Sequence, residues 1–251
     1  MSHIYTDRFF DYIDRGARSS ARRLIAALQP WLNAGSVADL GSGRGVWLAE
    51  WQRAGVEHVL GVDGDYVERV RLAIAPDSFR AADLTQPLKY DRRYDLAQSL
   101  EVGEHLPTEA SETLVASLTR ASDRVLFSAA VPGQGGEFHI NEQPLSFWQD
   151  LFAARGYRAF DCVRPALAGH DDVEPWYRYN AVLYVNAAGR EGLPDAVLET
   201  EIPAGEPVPE GGSASWRLRR QIVSMLPRPT VTWIAQARAA VLARQAQRIA
   251  G

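Results

Sequence analysis

The stretch that decides the fold is Val37-Ala38-Asp39-Leu40-Gly41-Ser42-Gly43-Arg44-Gly45-Val46-Trp47. A short apolar run ends here in three glycines at alternate positions, and an apolar helical pattern follows directly. Glycines let a ligand approach the backbone closely, and the first amides of a helix favour a negatively charged group. A glycine-rich turn alone can equally serve loop geometry, so its meaning depends on the sequence around it.

Short apolar runs alternate with helical patterns on both sides of this turn, which predicts βαβ units around a parallel sheet. The predicted strands are 36–40, 58–63, 78–82, 94–100, 124–131, 157–163 and 181–185. The predicted helices between them are 46–54, 66–73, 108–119 and 144–154. A further helix over 7–28 precedes the sheet, and helices over 216–226 and 231–249 follow it.

The proline- and glycine-rich stretch 189–213 predicts a linker between a domain over 1–188 and a helical tail over 214–251. Residues 211–251 contain seven arginines and no acid, so with a net charge of −4 the first 210 residues carry −11. The tail also has an apolar stripe, with Ile222, Met225 and Leu226 in one patch. We expect it to dock on the domain or on a second copy, as in a homodimer, in preference to a membrane surface.

Composition excludes several classes of protein. The acidic body argues against a long nucleic acid as partner. The longest uncharged run, 24–38, is too short and too broken by Pro30 and Gly35 to span a membrane. Residues 1–10 carry Asp7 and Arg8 and lack an apolar export signal, and Cys162 is the single cysteine. These features predict a cytoplasmic protein.

Acidic residues follow the next two predicted strands. Asp63 ends one of them, 18 residues past Gly45, where an acid can hold ribose hydroxyls, and Asp83 ends the other. With the Gly-x-Gly-x-Gly spacing, these turns resemble class I S-adenosylmethionine-dependent methyltransferases. The resemblance continues through 61–65, 82–84 and 95–101 and covers about residues 35 to 186.

The resemblance implies a Rossmann-like α/β fold. Its seven-stranded, mostly parallel sheet would have the order 3-2-1-4-5-7-6, with strand 7 antiparallel and S-adenosyl-L-methionine lying across the carboxyl ends of the strands. Turn acids are common on any α/β fold, but three such loops in the right order favour cofactor binding. The implied cofactor-binding residues are Asp39, Gly41, Ser42, Gly43, Gly45, Asp63, Gly64, Asp83, Leu84 and Ser99.

Two carboxylates and an imidazole follow predicted strand four, at Glu101, Glu104 and His105. They can act as a base cluster or as metal ligands, whereas the structural interpretation is an acid pair capping a helix. The Glu-x-x-Glu-His spacing is similar to that of ubiquinone-biosynthesis and small-RNA O-methyltransferases, where it holds a magnesium-type ion. The resemblance implies a metal site of Glu101, Glu104 and His105, and we expect His139 to supply a fourth ligand from the loop after predicted strand five. Two imidazoles suit Mn²⁺, Fe²⁺ or Zn²⁺ better than Mg²⁺.

The alternative chemistry is free of metal: His105 or His139 takes the proton of the acceptor directly. The loop after predicted strand five also carries Asn141, Glu142 and Gln143, which either contact a substrate or cap the following helix.

A third polar cluster lies between predicted strands six and seven. It contains His170, Tyr177, Arg178 and Tyr179. Aromatic rings beside an arginine suit a polyhydroxylated or glycosylated substrate. The other interpretation is a hairpin arm that packs its aromatic side chains on the sheet.

Together these features predict an enzyme, an S-adenosylmethionine-dependent methyltransferase acting on a hydroxyl of a polar small molecule or sugar. The loop sequences are similar to those of methyltransferases from bacterial surface-glycan and secondary-metabolite pathways. Three alternatives stay open: N- or C-methylation or intramolecular cyclisation or lysis of the cofactor, RNA 2′-O-methylation, and an inactive scaffold.

Overall fold

A seven-stranded sheet organises the chain, in the order β3-β2-β1-β4-β5-β7-β6. The computed structural model describes residues 7–227 and 229–237, with side chains described from residue 16 onward. The strands are β1 (Ser36–Leu40), β2 (His58–Asp63), β3 (Phe79–Ala81), β4 (Leu96–Leu100), β5 (Arg124–Ser128), β6 (Arg158–Phe160) and β7 (Val182–Val185). Strands β1 to β5 are mutually parallel, and β7 pairs antiparallel with both β5 and β6. The predicted order and the antiparallel β7 are therefore confirmed.

Helices cover both faces of the sheet, which is why the central strands read as continuous apolar runs. The helices are α1 (Asp7–Leu32), α2 (Val46–Arg53), α3 (Ser111–Ala121), α4 (Leu145–Ala153), α5 (Val163–Ala166), α6 (Pro175–Asn180), α7 (Asp195–Leu198) and α8 (Ala214–Ser224). One apolar core lies between the sheet and α1, α2 and α5, and the other lies beneath α3 and α4. Residues 229–237 are also helical.

Helix α1 continues through Pro30, beyond its predicted end at residue 28. Leu28 and Leu32 stand one turn apart, and both are buried. Proline removes one hydrogen bond and crowds the preceding turn, but here it lies within the last turn. Burial of Leu32 outweighs that cost.

The predicted helix over 66–73 is wrong, because only a 3₁₀ turn at Arg69–Arg71 forms there. Val67 is buried in the core but Val70 is 89% exposed, so the apolar residues of this segment do not share one buried face. The backbone N–H of Ala73 instead donates to the carbonyl of Arg44 at 2.8 Å. Through this hydrogen bond, the segment 66–73 contacts the glycine-rich turn.

The stretch 189–213, predicted as a linker, packs against the outer strand β6. The Ile202 N–H donates to the Ala159 carbonyl at 2.9 Å, and Glu201 forms a bridge with Phe160. Val197 and Val208 are buried in the two cores. Isolated apolar residues between prolines leave no periodic pattern, so the sequence did not reveal this packing. The division into domain, linker and tail stays a prediction.

The tail docks on the domain through a face that the sequence did not indicate. Arg220 of α8 is buried, whereas Ile222 and Met225 of the predicted apolar patch are exposed. The helix predicted over 231–249 is helical as far as residue 237, and its remainder lies outside the described residues. Among the helices that the structure describes, none has the length and apolar character needed to cross a bilayer.

Candidate active site

The glycine-rich turn between β1 and α2 is built by backbone conformation. Gly41, Gly43 and Gly45 have φ angles of 86°, 53° and 78°, in the left-handed region that glycine adopts without strain. A Cβ at Gly41 would lie 2.2 Å from the Val102 side chain. The backbone conformation and the lack of space beside Val102 both exclude a side chain, so position 41 requires glycine.

Asp63, at the end of β2, faces this turn. Its carboxylate accepts hydrogen bonds from the N–H groups of Gly43 and Gly64, each at 2.7 Å, and from the Tyr66 hydroxyl. Burial raises the pKa of Asp63, and these hydrogen bonds oppose the rise. The carboxylate is therefore a hydrogen-bond acceptor placed beside the glycine-rich turn.

Asp39, near the end of β1, is a buried acid without a cationic partner among the described residues. Burial raises its pKa to about 7, a hydrogen bond with Gln98 lowers it, and the charge of Asp63 raises it. A ligand that brings a positive charge beside Asp39 would relieve this cost of desolvation.

The remaining predicted cofactor residues lie on adjacent strand ends. Asp83 follows β3, where its Oδ1 accepts hydrogen bonds from the N–H and the hydroxyl of Thr85. These hydrogen bonds lower the pKa of Asp83. Leu84 is buried beside it, and the hydroxyl of Ser99 donates to the Leu40 carbonyl at 2.8 Å, which joins β4 to β1. All ten residues thus lie along β1 to β4 at the carboxyl edge of the sheet, which we call the cofactor edge.

The carboxylates after β4 stand next to this edge. Glu101 has φ 58°, and a 3₁₀ turn over Gly103–His105 follows it. Glu104 is completely buried, and neither of its carboxylate oxygens has a hydrogen-bond donor. Burial and then the charge of Glu101 raise the pKa of Glu104, and burial also raises the pKa of Glu101. The two carboxyl groups therefore favour sharing a proton or binding a cation.

Two imidazoles complete this group. The rings of His105 and His139 pack edge to face with centroids 5.0 Å apart. Burial and the neighbouring His139 lower the pKa of His105 to about 3, while a hydrogen bond to the Phe138 carbonyl opposes that shift. His105 is therefore neutral at pH 7, and the ring nitrogen that does not bond Phe138 keeps a lone pair.

The structure brings three of the four predicted metal ligands together. Ligand atoms of Glu104, His105 and His139 all lie within 4.8 Å of one another. Glu101 is not part of that group, and its Oε2 accepts a hydrogen bond from the Gln134 amide at 2.6 Å. A single ion bound by all four residues is thus not what the described geometry supports.

Glu142, predicted to contact substrate, holds the loop after β5. Its Oε2 and Oε1 accept from the N–H groups of Gly133 and Gly135, each at 2.8 Å, and Oε1 lies 2.9 Å from Nδ1 of His139. Burial would raise the pKa of Glu142, but these hydrogen bonds lower it overall. With its Nδ1–H donated to this carboxylate, His139 keeps the Nε2 lone pair free.

The side chains of Asn141 and Gln143 also form hydrogen bonds within the protein. The Asn141 amide donates to the Gly103 carbonyl and the Ser111 hydroxyl, and its oxygen accepts from Thr108 and Gln143. This buried side chain has no hydrogen-bonding capacity left for a substrate. Its contacts lie at the turn after β4 and at the start of α3, and no side-chain hydrogen bond caps α4 at Pro144, so the alternative of a cap on the following helix is not what Asn141 forms.

Three residues of the third polar cluster lie on helix α6, and His170 precedes it. This helix stands where a hairpin arm was predicted. Tyr177 is buried against Trp47, with ring centroids 5.0 Å apart, and the charge of Glu101 contributes to its raised pKa. Arg178 and Tyr179 line a separate cavity of about 380 Å³, and His170 lies on the exposed connection before α6. Only Tyr177 of this cluster is brought to the carboxylates.

Tyr179 has little free ring surface for a sugar. Arg178 stands over the ring at 5.0 Å, and Trp216 of α8 packs against it at 5.5 Å. A larger cavity, of about 470 Å³, lies beside Arg93 and Tyr157 at the opposite edge of the sheet, away from the carboxylates and imidazoles.

Sequence reasoning missed Gln134, whose side chain links Glu101 to Asn180. It also missed Arg219 and Arg220 of α8, which bind the backbone of the same loop. A glutamine between glycines and arginines in a basic tail carry no local signal. Only their contacts with residues distant in the sequence identify them.

Comparisons with known proteins agree with this geometry at the level of the fold. No protein-family profile matches the sequence, and no curated protein does. Among solved structures, an O-methyltransferase family protein from Burkholderia thailandensis is 13% identical with a TM-score of 0.55, over 71% of this chain and 58% of its own. DesVI from Streptomyces venezuelae is 16% identical with a TM-score of 0.54, over 70% of this chain and 95% of its own.

A third similar structure is the magnesium protoporphyrin IX methyltransferase from Synechocystis, solved with SAH bound. It is 17% identical with a TM-score of 0.50, over 72% of this chain and 94% of its own. This chain thus spans under two thirds of the Burkholderia protein but nearly the whole of the other two. The likeness confirms the predicted Rossmann-like fold of class I methyltransferases.

Proposed function

We propose that the chain is an S-adenosylmethionine-dependent methyltransferase that methylates a hydroxyl of a polar small molecule or sugar. The observation that carries the proposal is the adjacency of two groups. The cofactor edge lies along β1 to β4, and the group of Glu104, His105 and His139 follows β4 and β5 directly. A methyl donor and a proton acceptor side by side are what this transfer requires.

The residues of the cofactor edge fit S-adenosylmethionine. Asp39 is a buried carboxyl without a cation, and the amino group of the methionine part supplies one. Asp63 already accepts a hydrogen bond from the Tyr66 hydroxyl, and ribose hydroxyls are donors of the same kind. When bound, the cofactor supplies a methyl group already activated by its positive sulfur.

The chain's own residues then have to align the acceptor and remove its proton. His139 donates through Nδ1 to Glu142, so its Nε2 is the acceptor, and His105 is neutral because it is buried. His139 takes the proton of the hydroxyl as the carbon–oxygen bond forms, and His105, a weak base with a pKa of about 3, accepts a hydrogen bond from the acceptor beside it. We assign His105 and His139 as the catalytic residues.

The same group also fits a divalent metal ion. Glu104 has two buried oxygens without donors, and the two imidazoles offer lone pairs. One carboxylate with two imidazoles suits Mn²⁺, Fe²⁺ or Zn²⁺ better than Mg²⁺. An ion held there would lower the pKa of an acceptor hydroxyl, and the charge of the neighbouring Glu101 would favour its binding.

Titration calorimetry with S-adenosylhomocysteine tests the cofactor assignment. We expect the parent protein to bind and Asp63→Asn to weaken binding by about 10- to 100-fold, because charge-assisted hydrogen bonds are lost. Asp65→Asn, at an exposed acid two residues further on, is the matched control and should change the affinity less than about twofold. Absence of binding by the parent would refute the proposal.

The reaction is tested by following a labelled methyl group. A panel of glycosides and polyhydroxylated small molecules should contain an acceptor, whereas salt-dependent binding of a short RNA duplex would favour RNA methylation. Methylthioadenosine formed without acceptor would instead indicate cyclisation or lysis of the cofactor. Dialysis against a chelator, followed by assay with and without Mn²⁺ or Mg²⁺, separates the metal from the metal-free mechanism.

The acceptor is proposed as a small molecule or glycoside and the location as the cytoplasm, on the sequence features given above. A homodimer formed through the tail stays a prediction, which light scattering of the parent protein and of Met225→Glu tests, because Met225 is exposed in the apolar patch of the tail.

A further inference from the structure

Helix α8 lies against the loop that follows β5, residues 131–136, which we call the β5 loop. A Cβ at Gly133 would lie 2.3 Å from the carbonyl oxygen of Arg220, and a Cβ at Gly135 would lie 3.0 Å from Val223. Both glycines have positive φ angles, 77° and 69°. The helix therefore sits directly on the backbone of the loop, at positions where a side chain would not fit.

The first peptide group of this contact is held from both sides. The Pro132 carbonyl accepts a hydrogen bond from Nε of Arg220 at 3.0 Å. The N–H of the same peptide group, at Gly133, donates to Glu142 at 2.8 Å. Arg220 is only 9% exposed, and its Nη1 pairs with Glu210 at 3.2 Å. A buried, paired arginine is a fixed anchor for this carbonyl.

The second peptide group repeats the arrangement. The Gln134 carbonyl accepts from Nη1 of Arg219 at 2.9 Å, and the N–H of Gly135 donates to Glu142 at 2.8 Å. Two arginines of α8 and one carboxylate thus enclose two peptide groups. The same carboxylate accepts from Nδ1 of His139, so α8 is linked through the loop to that ring.

The side chain of Gln134 extends this connection to the second carboxylate. Its amide nitrogen donates to Oε2 of Glu101 at 2.6 Å, and its oxygen accepts from the Asn180 amide at 2.7 Å. Gln134 is 4% exposed. Since the Asn180 amide is a donor, the Gln134 oxygen must face it, which turns the Gln134 N–H toward Glu101.

We propose that α8 is a positioning element of the active site: Arg219 and Arg220 hold the β5 loop so that Glu142 orients His139 and Gln134 orients Glu101. The tail is then part of the site although it is distant in sequence. Calling this place an active site rests on the proposed function, but the contacts themselves do not.

The test is a spectroscopic measurement on the histidine rings at one fixed pH. In protein with ¹⁵N-labelled histidine, the ring shifts report which nitrogen carries the proton. Arg220→Met keeps the apolar stem but removes the donor to Pro132. We expect the His139 signals to move toward a mixture of the two tautomers, while those of His58 and His170 stay in place. Arg220→Lys, which restores one donor, should return part of the shift.

Arg217→Met is the matched control, because this exposed arginine lies on the same helix. It should leave all histidine signals unchanged. A folded Arg220→Met protein, with parental circular dichroism and His139 signals, would overturn the proposal. If Arg220→Met fails to fold, Arg219→Met makes the same test on the second peptide group, with the same two outcomes.

Two further measurements separate this proposal from the proposed function. S-adenosylhomocysteine affinity should change less than about twofold in Arg220→Met, because the cofactor edge lies on other strands. With an identified acceptor, kcat should fall on the order of 10- to 100-fold at unchanged KM for the cofactor. A parent protein that binds no S-adenosylhomocysteine would remove the proposed function, whereas the histidine spectra would still decide the role of α8.

Discussion

The cofactor edge and the group after β4 and β5 are neighbours in space but are held in different ways. At the cofactor edge, Asp63 bonds Gly43, 20 residues away, and Asp83 bonds Thr85, two residues away. In the second group, Gln134 reaches Glu101 across 33 residues, and Arg220 reaches the β5 loop across 88. The cofactor edge thus combines turn contacts with contacts between neighbouring strands, such as Ser99 to Leu40, whereas the second group also depends on residues of the tail.

The two halves also differ in their electrostatics. At the cofactor edge, burial raises the pKa of Asp39, and the charge of the neighbouring Asp63 adds to the rise. Glu101 and Glu104 are a buried pair beside two imidazoles, one of them kept neutral by burial. One half is prepared for a cationic ligand, whereas the other is prepared for a proton or a metal ion. The following predictions test that difference, beginning with the largest effect.

Gly41→Ala should destabilise the protein and weaken ligand binding at the cofactor edge. A Cβ there combines a left-handed backbone with a 2.2 Å contact to Val102, which should cost about 2–5 kcal/mol of unfolding free energy. S-adenosylhomocysteine affinity should fall on the order of 100-fold. Gly55→Ala is the control, since it has positive φ with open space around it, and should cost only about 1–2 kcal/mol without loss of affinity. Equal effects at the two glycines would contradict the prediction.

Glu104→Gln should weaken metal binding by the group of Glu104, His105 and His139 and leave cofactor binding unchanged. The amide keeps the shape of the side chain but removes its charge, so calorimetry with Mn²⁺ should show affinity reduced by about 10- to 100-fold. S-adenosylhomocysteine binding should stay within about twofold. The exposed Glu109→Gln serves as control. Mn²⁺ binding that is absent in the parent would assign the group to metal-free proton transfer.

The pH dependence of cofactor binding should report Asp39. Its pKa of about 7 in the free protein means that the carboxyl is protonated below that pH, whereas the amino group of the ligand favours the ionised form. The affinity for S-adenosylhomocysteine should reach its maximum above pH 7 and fall by up to about tenfold per pH unit below that value. Asp39→Asn should remove this dependence. If the affinity of the parent protein does not change between pH 5.5 and pH 8, Asp39 does not face the ligand's charge.

Without ligand, the same shift predicts the opposite trend in stability. The folded-state pKa of Asp39 lies above its unfolded value, so its contribution to the free energy of unfolding falls as pH rises toward 7. Denaturant titrations at pH 5 and pH 8 should show this loss in the parent and less of it in Asp39→Asn. An identical loss in both would contradict the assignment.

Asp83→Asn should have the smallest effect. The carboxylate lies in water and already accepts from Thr85, and the amide oxygen can keep part of that turn. We expect S-adenosylhomocysteine affinity to fall only about threefold, because water competes for an exposed group. A loss as large as that of Asp63→Asn would mean that the adenine end of the edge is as buried as the ribose end.

What the sequence determined by itself is the cofactor half of the fold. Alternation of apolar runs and helical patterns predicted the parallel strands, and the turn over 37–47 with Asp63 and Asp83 placed polar groups at their ends. Such features are legible because glycine conformation and strand burial depend on neighbours in the chain. The same reasoning failed at 66–73, where Val67 is buried but Val70 is exposed, so the apolar residues of the pattern do not share one buried face.

Tertiary structure alone decided which polar residues act and which support. It directed Glu142 to the β5 loop and Asn141 to Gly103 and Ser111, joined Gln134 to Glu101, and seated α8 on the loop through Arg219 and Arg220. It also brought Glu104, His105 and His139 together. Apart from Glu104 and His105, which the Glu-x-x-Glu-His spacing marks, none of these partners has a spacing that identifies it. A hydrogen bond between residues tens of positions apart depends on how the strands and loops are assembled, and no local propensity encodes that assembly.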